Sequence, residues 1–113
     1  MSKNFLSMNT ELQKGDFLLS NNREYKAILQ EDGNFVVYGW KPMWHTNTAG
    51  NTEGVRLVMQ GDCNLVMYAN RKPIWQANTA NKSPLMGRLT LTNGGFLVVE
   101  NDAVEMWKST KNL

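Results

Sequence analysis

Residues Gln30–Tyr38 read QEDGNFVVY, and thirty residues later Gln60–Tyr68 read QGDCNLVMY. The shared letters, Gln, Asp, Asn, Val and Tyr, occupy every second position. Side chains of a β-strand alternate between faces, so this spacing gathers the shared residues on one side. Leu29, Phe35 and Val37, and in the second copy Met59, Leu65 and Met67, fall on the other, which reads as core.

The turn decides the register. A two-residue hairpin in the second copy would need positive φ at both Asp62 and Cys63, which suits cysteine poorly. A three-residue loop, Glu31-Asp32-Gly33 or Gly61-Asp62-Cys63, strains one position only. Gln30 then pairs with Asn34, and Ile28 with Val36. The outward row is Gln30, Asn34, Val36 and Tyr38, with Asp32 at the tip.

Three segments align as internal repeats, about residues 25–48, 55–79 and 86–110, each carrying a tryptophan near its end: Trp44, Trp75 and Trp107, 31 and 32 residues apart. The first two share a P-x-W-x-x-N-T ending, Pro42–Thr48 and Pro73–Thr79. Alternating apolar residues, frequent β-branched and aromatic side chains, and Gly, Asn and Asp punctuation predict strands throughout. The links Ala49–Gly54 and Ala80–Pro84 read as turn-rich loops, and Glu11–Ser20 as a pair of N-terminal strands turning at Gly15. The expectation is a single all-β domain over 1–113 with three sheets, in which strands near one terminus complete a sheet begun near the other.

The chain has 113 residues, 42% hydrophobic and 19% charged, the composition of an ordinary globular domain. The net charge of +2 and scattered lysines and arginines give no footprint for nucleic acid or an anionic membrane surface. Cys63 is the sole cysteine, so no disulfide forms within the chain. No apolar run is long enough for a secretory signal or a membrane span, so synthesis in the cytosol, with any release by a non-classical route, is expected.

An amide, a carboxylate and a phenol in one row suit a neutral polyhydroxylated ligand, with the valine against its C–H surface. Single shallow sites of this kind bind weakly, at roughly millimolar levels. Repetition raises avidity without new contacts.

The Q-x-D-x-N-x-V-x-Y rows at Gln30, Asp32, Asn34, Val36 and Tyr38, and at Gln60, Asp62, Asn64, Val66 and Tyr68, resemble the mannose-binding motif of the monocot bulb, snowdrop-type or B-type, lectins. Absence of a signal and of a cysteine pair is closer in character to the fish skin-mucus lectins of that family. The resemblance implies a β-prism II fold: three four-stranded antiparallel sheets about a pseudo-threefold axis, with Trp44, Trp75 and Trp107 packed at its centre. It implies two carbohydrate sites, with the Asp and Asn of each row on the 2-hydroxyl of mannose, Gln on the 3-hydroxyl, Tyr on the 4-hydroxyl and Val against the ring. It implies a non-enzymatic lectin that cross-links mannose-containing glycans in agglutination or innate defence, with no cofactor or metal. It further implies a homodimer by C-terminal strand exchange, with tetramers as pairs of dimers. The alternative is a protein-interaction module on the same scaffold.

The third repeat departs from the pattern. In LTNGGFLVV, Leu91–Val99, the motif frame is read onto Leu91, Asn93, Gly95, Leu97 and Val99, with Phe96 and Val98 inward opposite Thr90. That frame predicts a degenerate, inactive third site whose exposed Leu91, Leu97 and Val99 form an apolar contact strip. Other residues are assigned plain roles. His45 has no metal-ligand spacing around it, and Cys63 no histidine nearby to activate it. Asp32 and Asp62, on different repeats, are not a glycosidase pair. The sequon Asn81-Lys82-Ser83, followed by Pro84, is treated as a coincidence. Trp40 follows Tyr38 and has no counterpart in the second repeat; whether it is exposed and borders the first row is left open.

Overall fold

The computed structural model describes residues 3–83 and 86–113, so Pro84 of the second link lies outside the described residues. The strands are β1 (Phe5–Ser7), β2 (Thr10–Gln13), β3 (Phe17–Leu19), β4 (Lys26–Leu29), β5 (Phe35–Tyr38), β6 (Pro42–His45), β7 (Arg56–Met59), β8 (Leu65–Ala69), β9 (Lys72–Gln76), β10 (Gly87–Leu91), β11 (Leu97–Asn101) and β12 (Val104–Lys108). They form three four-stranded antiparallel sheets, ordered β3-β4-β5-β6, β2-β7-β8-β9 and β1-β10-β11-β12. This is the β-prism II architecture.

Each repeat supplies a three-stranded meander, and the N-terminal segment lays one further strand on the edge of each sheet. That segment therefore holds three strands rather than two. The added one, β1, is only three residues long and ends two residues before β2 begins, so no alternation marks it in the sequence. β2 and β3 flank the turn at Gly15, where φ is +93°.

The meanders repeat in geometry as well as sequence. Ile28 pairs with Val36 and Val58 with Val66. The hairpin tips are three-residue loops closed by the same two bonds, from Gln30 N–H to Asn34 C=O and Gly33 N–H to Gln30 C=O (2.9 and 3.0 Å), and from Gln60 to Asn64 and Cys63 to Gln60 (both 3.0 Å). Gly33 and Cys63 take the left-handed position, with φ of +88° and +74°. Gly33 is required there: an added Cβ would lie 1.8 Å from the carbonyl oxygen of Asn51 in the following link.

The inner faces form one core of Leu29, Phe35, Val37, Leu57, Met59 and Leu65 with their counterparts in the third sheet. Leu6, Leu12 and Leu18 join it, one from each N-terminal strand. At the centre Trp44, Trp75 and Trp107 form a triangle with centroid separations of 5.8, 5.7 and 5.7 Å, every pair edge-to-face. Such pairs add about 0.5–1.5 kcal/mol beyond the area they bury. The near-equal sides mark the pseudo-threefold axis.

The third sheet corrects the sequence frame by one residue. Thr92 N–H bonds to Phe96 C=O at 2.8 Å and Gly95 N–H to Thr92 C=O at 3.0 Å, which makes Thr92 the counterpart of Gln30 and Gly95 the counterpart of Gly33. The outward row is Thr92, Gly94, Phe96, Val98 and Glu100. Leu91, Leu97 and Val99 are 0% exposed, so the expected apolar strip does not exist, and Asn93 and Gly95 are loop positions outside the row. Phe96 and Val98, expected inside, lie on the outer face, where the Lys108 ammonium sits 4.1 Å from the Phe96 ring centroid. In a strand a one-residue slip turns every side chain to the opposite face.

Candidate functional site

Each of the first two hairpins turns its row outward. In the first, Asp32 at the tip accepts the backbone N–H of Asn34 on Oδ1 at 3.0 Å, the local turn that aspartate favours. Its carboxylate also accepts Gln30 Nε2 at 3.1 and 3.2 Å. Tyr38 O–H donates to Gln30 Oε1. Val36, 3% exposed, is the floor between these polar groups. The second hairpin keeps the plan with one exchange: Asn64 N–H donates to Asp62 Oδ1 at 2.9 Å and Val66 is 4% exposed, but Gln60 Nε2 donates to the Tyr68 hydroxyl. The structure brings all five residues of each row together, and places the two rows on different sheets.

The asparagines are fixed from behind by residues that served in the sequence only as repeat markers. Asn34 Oδ1 accepts the backbone N–H of Thr48 and the hydroxyl of Thr46, both at 3.2 Å. Asn64 Oδ1 accepts the backbone N–H of Thr79 at 2.9 Å. Asn47 and Asn78, in left-handed conformation with φ of +58° and +59°, turn the chain so that the following threonine points its N–H inward. The shared N-T endings are therefore the second half of each site. The links close over the tips as well, with Gly50 N–H on Asp32 C=O and Asn81 N–H on Asp62 C=O, both 2.8 Å.

With the oxygen ends held, each amide nitrogen faces a residue on the last strand of its sheet. Asn34 Nδ2 lies 3.1 Å from His45 Nδ1, and Asn64 Nδ2 donates to Gln76 Oε1 at 2.9 Å. Sequence reading weighed His45 only as a metal ligand, and its contact with Asn34 spans eleven residues of chain.

Trp40 is 92% exposed in the β5–β6 turn, two residues beyond Tyr38, with the Lys41 ammonium 5.2 Å from its ring centroid. In the second site the Arg56 guanidinium stacks 4.8 Å from the Tyr68 ring centroid and pairs with Glu11 at 3.4 Å. Cys63, buried below the second tip, donates weakly to Glu100 C=O at 3.8 Å. Burial, with the Asp62 carboxylate beside it, pushes its thiol above the ordinary value.

The third row keeps the buried valine, Val98, but loses the polar groups around it. Gly94 stands where the carboxylate should be, Phe96 where the amide should be, and Glu100 where the phenol should be. Lys108 occupies the position of His45 and Gln76.

The arrangement is a pair of shallow sheet-face sites built to exchange hydrogen bonds with hydroxyls. Neither row pairs a nucleophile with a base, and Asp32 and Asp62 stand on different sheets.

No protein-family model matches the chain. It is 51% identical to the B-type lectin plumieribetin of Scorpaena plumieri over 110 residues, 96% of each chain. Among solved structures it superposes on the mannose-specific agglutinin of snowdrop, Galanthus nivalis, complexed with methyl-α-D-mannoside, at a TM-score of 0.79 and 36% identity, covering 88% of this chain and 90% of that one. It also superposes on the monomeric monocot mannose-binding lectins of Gastrodia elata at a TM-score of 0.87 and 27% identity, covering 98% and 100%. With a near-full-length relative at that identity, and a fold shared with sugar-binding proteins rather than enzymes, the chain belongs to the B-type, bulb-type lectin family.

Proposed function

We propose that this lectin binds mannose-containing glycans through two sites per chain and that the third row does not bind sugar in the same way. Asp32, Asn34, Asp62 and Asn64 take the 2-hydroxyl, Gln30 and Gln60 the 3-hydroxyl, Tyr38 and Tyr68 the 4-hydroxyl, and Val36 and Val66 the ring carbons. The observation that carries the reading is the duplicated amide: in both sites the oxygen is held by a threonine N–H, which leaves an Nδ2 hydrogen for a ligand. The mannoside complex of the snowdrop relative supports the choice of sugar.

The test is retention on mannose-agarose. Among the described residues the Gln30 and Gln60 side chains bond within their rows, so the double variant Gln30→Ala, Gln60→Ala keeps the fold and is expected to pass through unretained. Retention of that variant rejects the site assignment.

Cross-linking needs valency beyond one chain. β12 is an edge strand with Val104 and Met106 exposed, and Met86, also exposed, accepts Asp102 N–H at the turn before it. A second copy covering this edge, by exchange of β12 or by apposition, supports the dimer; light scattering at the 12.8 kDa of one chain removes it. Agglutination in surface defence, after release from the cell, is the setting this reading implies.

A further inference from the structure

The two proposed sites are near copies, and they differ where each asparagine meets the last strand of its sheet. Asn34 and Asn64 share one orientation because Oδ1 of each accepts a threonine N–H. An amide nitrogen only donates, so the group facing Nδ2 must accept. Gln76 accepts with its amide oxygen. His45 faces the amide with Nδ1 at 3.1 Å, and that nitrogen accepts only when it carries no proton.

From this we infer that His45 is a positioning residue that makes the first site, and not the second, lose affinity in acid. The inference rests on the mannose reading of that site. Imidazoles change charge between about pH 5 and pH 8, whereas the glutamine amide does not titrate there. A proton on Nδ1 sets N–H against N–H. Relief comes from turning the ring away or from reversing the Asn34 amide. Reversal would place Nδ2 against the Thr48 N–H. In either case the donor aimed at the sugar loses its fixed direction.

His45 pairs across the sheet with Val36, and its backbone N–H and C=O are both engaged by the Asn112 side chain of the C-terminal segment, at 3.0 and 2.9 Å. The charged residues on these segments are Glu31 and Asp32 at the hairpin tip, Lys41 in the β5–β6 turn, and Lys108 and Lys111 toward the C-terminus; the Asp32 carboxylate is engaged by Gln30 and the Asn34 N–H. Among the described residues no carboxylate pairs with the ring.

The experiment is a titration of the whole chain with methyl α-mannoside, followed by the backbone amide resonances of Asn34 and Asn64 at about pH 8 and about pH 5. The first site is expected to weaken by roughly tenfold in acid, the worth of about one hydrogen bond, and the second to change much less. His45→Gln should abolish the difference and Gln76→His should transfer it to the second site. Equal behaviour of both sites, or acid loss that survives His45→Gln, overturns the inference. If neither site binds at either pH, the mannose reading fails. His45 is then judged by the Asn34 side-chain amide resonance, which must move on acidification in the native chain and not in His45→Gln; a stationary resonance overturns the inference.

Discussion

Thr79 N–H reaches Oδ1 of Asn64 at 2.9 Å across fifteen residues of chain. The contact makes Asn64 structural as well as functional. Asn64→Ala leaves a buried N–H without a partner and should cost about 1–3 kcal/mol in urea denaturation. Asn64→Asp keeps the acceptor and should cost less, while both variants lose mannoside binding at the second site. Equal stability losses would show that Oδ1 does not hold the loop.

Gly33 is predicted to be intolerant of any side chain. Its φ of +88° and the 1.8 Å approach of a Cβ to the Asn51 carbonyl combine backbone strain with a clash that no side-chain rotation relieves. Gly33→Ala should lose about 3 kcal/mol or more in chemical denaturation. A loss under 1 kcal/mol would mean the link moves freely off the hairpin.

Leu97 separates two accounts of the third sheet. As an exposed dimer contact it would tolerate a charge and change only the molecular mass. Being 0% exposed, Leu97→Asp should instead abolish the cooperative thermal transition, because it buries an unpaired carboxylate. A folded, monomeric variant would contradict the observed register.

The Cys63 thiol, raised above its ordinary value of 9.0, contributes a stability term that is present below that value. The term is lost as pH climbs from there through the higher value of the folded state, because the unfolded chain gives up its proton first. Native protein should react with a disulfide reagent far more slowly than urea-unfolded protein at neutral pH. Equal rates would mean that the hairpin tip opens readily.

Trp40, 92% exposed in the β5–β6 turn two residues beyond Tyr38, contributes almost nothing to the core, so Trp40→Ala should leave thermal stability unchanged. An exposed indole offers a face to a sugar ring beyond the terminal one. The variant should therefore lose affinity for a mannose oligosaccharide several-fold while holding its affinity for methyl α-mannoside. Parallel losses for both ligands would place Trp40 inside the primary site instead.

Much of the molecule was legible because period two is an unambiguous signal when it is written twice. The rows at Gln30 and Gln60 and the three-residue tips follow from alternation, the repeat spacing gives one tryptophan per sheet, and the family resemblance implied their meeting at the centre. The third row was misread because adjacent glycines, Gly94 and Gly95, leave the tip uncertain by one position. The left-handed requirement at the third loop residue, together with the apolar beat of Leu89, Leu91, Leu97 and Val99, carries the correct frame. The backing of the sites by Thr48, Thr79, His45 and Gln76 was not legible. Those contacts join residues eleven to fifteen apart across a sheet, and no local propensity encodes them.

The N-terminal seventeen-odd residues give one strand to every sheet, and β1 must wait for β10, more than eighty positions later, before it has a partner. Closing so long a loop carries an entropic penalty that a single repeat cannot offset alone. The three meanders are thus strapped into one cooperative body: clipping the leading segment would unzip an edge from all of them at once, and a nascent chain on the ribosome cannot finish any sheet boundary of the last repeat until nearly its whole length has emerged.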